Sequence, residues 1–210
     1  MSDDPKEIVE TGYDAIVERY AEWSASFESP AMSWVAMLLD KLEQGSNVLE
    51  LGCGGGGPVT SALAESRRLH GVDISARQIE RARERVPSAT FECGDATRLE
   101  FESETFDAVA SLFMLGHVPR AEQAPLLASI YFWLRPGGWF LATMGVGGAD
   151  DEVDENWLGA PTFWASFDEA TNRKMLTDAG FELQEATVIA SEERGHGVVR
   201  FFWVLARRPE

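Results

Sequence analysis

One stretch constrains this chain more than any other. The apolar run Asn47-Val48-Leu49-Glu50-Leu51 passes directly into Gly52-Cys53-Gly54-Gly55-Gly56-Gly57, and Pro58 follows. Five glycines in six residues suit neither a helix interior nor a strand interior, because glycine loses the most backbone freedom on ordering and has no side chain to pack. Set between a short apolar run and a proline suited to a first helical position, they read as a tight turn from a strand at 47–51 to a helix at 59–66. Such a turn lets the backbone approach a ligand closely and leaves the first unpaired helix amides facing it.

The same alternation continues downstream. A strand is expected at 70–74, then a helix opened by the capping-box spacing Ser75-Ala76-Arg77-Gln78 and closed at Pro87. Short strands follow at 90–93, ending at Gly94-Asp95, and at 106–113, where the apolar run suits a buried central strand. A helix at 121–134 is stopped by Pro136-Gly137-Gly138 before a strand at 139–144, and Asp168 caps a helix that ends at Gly180. The last two strands, 181–190 and 198–206, are joined by seven turn-rich residues that suit an antiparallel hairpin. The pattern is that of βαβ units around a mainly parallel sheet. Two regions fall outside it. Residues 1–44 are helical in pattern and carry Tyr13, Tyr20, Trp23, Phe27 and Trp34. Residues 145–167 read as an irregular insertion with an acidic cluster and Trp157, Phe163, Trp164 and Phe167.

Length and charge limit the function. With 210 residues, one domain is expected over 1–210, divided into an N-terminal helical cap (1–44), a cofactor-binding half (45–144), an insertion (145–167) and a C-terminal helix and hairpin (168–210). Eighteen Lys and Arg against 35 Asp and Glu give a formal charge of -17, which disfavours a long contact with a phosphate backbone, so no nucleic-acid partner is expected. The first seven residues are acidic where a secretory signal would be basic and then apolar, and no apolar run approaches the ~20 residues that span a bilayer. A cytoplasmic protein without a membrane partner is expected. Cys53 and Cys93 form no CxxC pair, and no metal site is expected.

The glycine turn permits two ligands. Gly52, Gly54 and Gly57 satisfy G-x-G-x-x-G, and Asp73 lies about 20 residues on, the arrangement of a dinucleotide site. Yet Glu50, two residues before Gly52, would repel a pyrophosphate and welcome an ammonium group. Gly94-Asp95-Ala96 places another carboxylate at a strand end, where it suits an exocyclic amine. These stretches, with Gly71-Val72-Asp73-Ile74-Ser75, Phe106-Asp107-Ala108-Val109 and Leu134-Arg135-Pro136-Gly137-Gly138, come in an order and spacing that resemble the class I S-adenosylmethionine-dependent methyltransferases, in particular the small-molecule branch related to ubiquinone and menaquinone biosynthesis. The resemblance is strong over 45–144, moderate over 168–206 and loose elsewhere.

The resemblance implies a Rossmann-like, doubly wound α/β fold with seven strands, the last antiparallel and inserted beside the fifth. It implies S-adenosyl-L-methionine as cofactor and S-adenosyl-L-homocysteine as product. Glu50 would hold the methionine ammonium, and the loop Gly52, Cys53 and Gly54 would pack against the methionine and ribose. Asp73 would take the ribose hydroxyls, Ile74 would cover one adenine face, and Gly94, Asp95 and Ala96 would receive the adenine edge. Leu112 and Phe113 would touch the methionine portion, and Tyr13 and Tyr20, in Tyr-Asp-x-Ile-x-x-x-Tyr, would close over the cofactor.

His117, just beyond the fourth strand, is the candidate base for an acceptor that needs one. Trp23, Phe27, Trp157, Phe163 and Trp164 are expected to form a substrate lid. The expected activity is methyl transfer to an O, N or S atom of a small, largely apolar or aromatic acceptor, by a monomer or homodimer. Two alternatives stay open: an NAD(P)-binding oxidoreductase, against which Tyr131 has no lysine partner before Lys174, and a non-catalytic S-adenosylmethionine-binding partner protein.

Overall fold

Parallel strands that are apolar on both faces must be covered on both sides by helices, and the chain meets that requirement around a seven-stranded sheet. The computed structural model describes residues 4–210, so Met1, Ser2 and Asp3 of the acidic N-terminal stretch lie outside the described residues. Helices α1 (Pro5–Ser24) and α2 (Ala31–Leu39) come first, followed by β1 (Asn47–Leu51), α3 (Pro58–Ala64), β2 (Arg68–Asp73), α4 (Ala76–Arg85), β3 (Thr90–Cys93) and β4 (Phe106–Ser111). Next are α5 (Arg120–Trp133), β5 (Leu134–Gly145), the pair β6 (Glu152–Trp157) and β7 (Ala160–Trp164), α6 (Glu169–Asp178), β8 (Glu182–Glu193) and β9 (Gly197–Arg207).

The strand order is β3-β2-β1-β4-β5-β9-β8, and β9 runs antiparallel between β5 and β8. The α/β, Rossmann-like architecture with its antiparallel last strand is therefore the one expected. Its order reverses between β1 and β4, and ligands in such sheets bind at the carboxyl ends of the strands beside that switch point. Local signals explain much of this: Ser75 Oγ accepts from the Gln78 amide at the start of α4, Asp168 accepts from Thr171 at the start of α6, and Gly180 takes φ +104° beyond its end. Among the described residues no helix is long and apolar enough to cross a membrane.

Four expectations need correction. Residues 145–167 are not irregular: β6 and β7 pair as an antiparallel hairpin, turned by Leu158 (φ +49°) and Gly159 (φ +85°). The exposed charges of β6 hide the alternation that marks a strand, since only Trp157 at its end is buried. Pro136-Gly137-Gly138 does not separate helix from strand, because α5 ends at Trp133 and β5 starts at Leu134 with a register shift across that segment. β4 ends at Ser111, not at 113, as Phe113 turns to φ +60°. Finally, β8 and β9 extend almost to their turn, leaving three residues between them instead of seven.

Candidate active site

The glycine turn is fixed by backbone hydrogen bonds. The Gly52 and Cys53 amides both donate to the Val72 carbonyl, at 2.8 and 3.0 Å, which staples the turn to β2. The Gly54 amide donates to Asp73 Oδ2 at 2.8 Å, and the Ser75 amide donates to Asp73 Oδ1 at 3.0 Å. Gly54 has φ +52°, and a Cβ there would meet nothing within 4 Å, so the loop presents bare backbone to open space. Burial pushes the Asp73 carboxyl up to about 6 against the pull of those two amides.

Glu50 is buried at the end of β1. Thr60 Oγ donates to its Oε1 at 3.2 Å, while Oε2 is buried with no hydrogen-bond partner. Burial drives the carboxyl up to about 8. An orphaned buried carboxylate oxygen beside a bare-backbone cradle suits a cationic group attached to a larger ligand, so an aminoacyl ammonium fits.

Two connected spaces open from the loop. A recess of about 90 Å³ runs along Asp73, Ile74, Gly94, Asp95 and Ala96, and a cavity of about 1020 Å³ lies beside Glu50, Cys53, Phe27, Trp23, Trp157 and Trp164. Tyr13, Tyr20, Gly52, Gly54, Leu112, Phe113 and His117 line both. Phe113 holds its left-handed backbone by donating its amide to Thr143 Oγ at 2.6 Å, a strained conformation of the kind that gathers at functional sites.

His117 stands at this junction and is buried. Its Nδ1 lies 2.9 Å from the Phe163 carbonyl, which only accepts, so Nδ1 carries the hydrogen and donates. Nε2 is then the free lone pair and accepts from the Tyr13 hydroxyl at 2.8 Å. Burial lowers the imidazole to about 4 and raises the Tyr13 phenol well above its ordinary value, so both groups are neutral.

The aromatic residues converge from three separated segments. Tyr13, Tyr20 and Trp23 of α1 pack against Trp157, with ring centroids 5.6, 5.9 and 5.5 Å away, and Trp157 in turn meets Trp164 at 5.4 Å. Trp23 also meets His196 of the β8–β9 turn at 5.6 Å and donates its indole N–H to the Arg194 carbonyl. One expected lid member differs. Phe163 does not face the cavity; it is buried against Val9 and contributes its carbonyl to His117. Trp34 packs against Trp203 in the core, centroids 5.7 Å apart.

Sequence reading missed Lys6 and Gly12. Lys6 Nζ lies 2.8 Å from Asp95 Oδ2, 2.6 Å from Thr97 Oγ and 2.5 Å from Glu122, so Asp95 is engaged before any ligand arrives. The Lys6 bond and the Thr97 amide hold the Asp95 carboxyl below its ordinary value despite its burial. Gly12 lies inside α1, where a Cβ would stand 2.1 Å from the Pro161 carbonyl oxygen of β7. A glycine inside a helical pattern costs about 1 kcal/mol relative to alanine, and that was the available signal. Among the described residues no group of three or more His, Cys, Asp or Glu side chains is placed to hold a metal ion.

The chain is similar in sequence and in fold to known proteins. The family described as a methyltransferase domain matches residues 48–138, which run from β1 into β5. An uncharacterised methyltransferase of Synechocystis is 30% identical over 149 residues, 69% of this chain and 68% of that protein. A 24-methylenesterol C-methyltransferase of Arabidopsis thaliana is 27% identical over 78% of this chain and 47% of its own length. The chain spans 30–47% of the length of the first curated relatives it matches. In fold it superposes on the 1,6-didemethyltoxoflavin-N1-methyltransferase of Burkholderia thailandensis, solved with S-adenosylhomocysteine, with a TM-score of 0.74 at 18% identity over 100% of this chain and 92% of the other. By its matched domain, its relative from Synechocystis and its strand order, the chain belongs to the class I S-adenosylmethionine-dependent methyltransferases.

Proposed function

We propose that this protein transfers the methyl group of S-adenosylmethionine to an O, N or S atom of a small, largely apolar or aromatic acceptor. When bound, the cofactor supplies a methyl group on a sulfonium, open to direct displacement. The observation that carries the reading is the junction: the recess at Asp73 and Asp95 and the aromatic cavity meet at Gly52, Leu112, Phe113 and His117. A donor in one space and an acceptor in the other would face each other there. Positioning within a dry site is the main requirement of such a displacement.

Tyr13 and His117 refine the role of a base. The Tyr13 oxygen, with its hydrogen directed at His117 Nε2, offers its lone pairs to an acceptor O–H or N–H. A proton given to Tyr13 passes its counterpart to Nε2, and the Phe163 carbonyl stabilises the resulting imidazolium. Burial makes that imidazolium expensive, so the pair suits late removal of a proton made acidic by methylation and does not suit ionising an alcohol beforehand. Amines, thiols and acidic phenols are therefore the favoured acceptors. Trp23, Phe27, Trp157 and Trp164 serve as the lid over them.

The test is calorimetry with S-adenosylhomocysteine and, separately, NADH, followed by a panel of amines, thiols, phenols and carboxylates with product mass detection. A gain of 14 mass units on one class, with S-adenosylhomocysteine binding, is the expected result. Binding of NADH alone would overturn it in favour of an oxidoreductase, and cofactor binding without turnover of any class would favour the non-catalytic reading.

A further inference from the structure

The aromatic end of the large cavity carries a charge that the methyl-transfer reading leaves unused. Glu193, the last residue of β8, lines the cavity together with Trp23, Trp157 and His196. Antiparallel pairing sets its direction. Residues directly opposite share a face, so Glu193 stands on the face of Ser191, Val199 and Phe201, and the last two line the same cavity. Arg200 falls on the other face, with Val198 and Phe202. The half-buried Glu193 side chain makes no hydrogen bond and no ion pair among the described residues, and burial pushes its carboxyl up with no cation to draw it back. Its charge nonetheless reaches the rings: burial first, then Asp73 and Glu193, raise the Tyr20 phenol to about 12. Trp23 fixes the turn that follows Glu193, because its indole N–H donates to the Arg194 carbonyl at 2.8 Å. Trp157 completes the group, with the Tyr20, Trp23 and His196 rings 5.9, 5.5 and 6.3 Å from its own.

We propose that Glu193, Tyr20, Trp23 and Trp157 form a cation-recognition subsite, and that the methyl acceptor is an organic cation whose ammonium group this subsite holds. An unpaired carboxylate beside aromatic rings suits such a group, since the carboxylate supplies the opposite charge and the ring quadrupoles add to it without demanding a fixed hydrogen-bond direction. Asp154, exposed on β6, adds a second negative charge to the cavity lining. A nitrogen held as a cation has no lone pair with which to displace a methyl group, so it is the anchor and not the reacting atom. The reacting atom lies toward Tyr13, whose ring meets both Trp157, at 5.6 Å, and His117, at 5.2 Å. The acceptor is therefore bifunctional: an ammonium at Glu193 and an amine, thiol or phenol at Tyr13, joined by an apolar or aromatic body.

The subsite deepens the methyl-transfer reading and rests on it, and one titration series separates the two. With S-adenosylhomocysteine present, quenching of tryptophan emission would compare benzyltrimethylammonium, its neutral isostere neopentylbenzene and the anion phenylmethanesulfonate. The unaltered protein is expected to bind the ammonium at least about tenfold more tightly than the neutral probe. Glu193→Gln should weaken the ammonium by about tenfold and Trp23→Leu by about fivefold, each leaving the neutral probe within about threefold. Neutral-probe affinity thus shows that the cavity of each variant is intact. Ammonium binding no tighter than that of the neutral probe, or none at all, would overturn the subsite, as would a preference that survives Glu193→Gln. Tightest binding of the sulfonate would overturn it in favour of an anionic acceptor held by Arg81 and Arg85, which line the α4 wall. Failure of S-adenosylhomocysteine itself to bind, read by calorimetry, would instead remove the methyl-transfer reading and the acceptor assignment with it.

Discussion

From β1 to β3 the site is built of backbone: the Gly52 and Cys53 amides on the Val72 carbonyl, the Gly54 amide on Asp73, and the Gly94 amide on the Asp73 carbonyl at 3.0 Å. Above it, the roof formed by α1, the β6–β7 hairpin and the β8–β9 turn is built of rings, with Trp157 touching Tyr13, Tyr20, Trp23 and Trp164. Backbone bonds have one correct geometry and a narrow sequence code, whereas aromatic packing accepts many partners. A cofactor common to a large family calls for the first kind of construction. An acceptor that differs between members calls for the second.

The sharpest way to break this contrast is Asp73→Ala. It removes, together with the proposed ribose contacts, the bond from the Gly54 amide in the turn and the bond from the Ser75 amide at the start of α4. Two charge-assisted hydrogen bonds at about 1.5–3 kcal/mol each predict a loss of S-adenosylhomocysteine affinity of about a hundredfold or more. Titration calorimetry reads it directly. Affinity within threefold of the unaltered protein would show that the floor does not depend on its backbone frame.

Next in size is Gly12→Val, aimed at the roof. With a Cβ at 2.1 Å from the Pro161 oxygen, α1 must move off β7 and carry Tyr13 and Tyr20 with it. Turnover with an accepted substrate should fall by about ten- to a hundredfold, and the tryptophan emission should shift as Trp157 becomes wetter. Binding of 5′-methylthioadenosine should fall by less than turnover does. Equal losses would mean that floor and roof form one unit.

The same contrast explains what the sequence disclosed. Glu50, Asp73, Asp95 and the glycines occupy strand ends and turns, where position along the chain dictates position in space, so short motifs located them. The β6–β7 hairpin escaped because five of its first six residues are exposed and its turn uses Leu158 in a left-handed conformation that sequence gives no reason to expect. Composition assigns Phe163 to the lid, and tertiary packing places it elsewhere. Lys6 reaches Asp95 across 89 residues, a contact no periodicity encodes.

A smaller effect tests where the floor and the roof meet. Tyr13→Phe deletes the donor to His117 Nε2 while keeping the ring that packs on Trp157. Turnover should fall about tenfold with S-adenosylhomocysteine affinity nearly unchanged, because the proton is removed late and the imidazole is a weak base at this site. A loss of a thousandfold would mark the pair as ionising the acceptor beforehand.

The gentlest probe is pH, and it addresses the floor alone. With its carboxyl raised to about 8 by burial, Glu50 is largely protonated in the free protein at pH 7. An ammonium beside it favours the carboxylate, so binding lowers that value and a proton leaves as ligand enters. Affinity for S-adenosylhomocysteine should therefore rise with pH up to about 8, by at most tenfold per unit, while the ligand's ammonium stays charged. Asp73, raised to about 6, titrates below this window, so the interval from pH 7 to 8 reports Glu50. Calorimetry in two buffers of different ionisation enthalpy should show a fraction of a proton released, and Glu50→Gln should abolish both the release and the slope. Affinity that falls over the same interval would mean that the ammonium does not sit on Glu50, and the orphaned Oε2 would then need another partner.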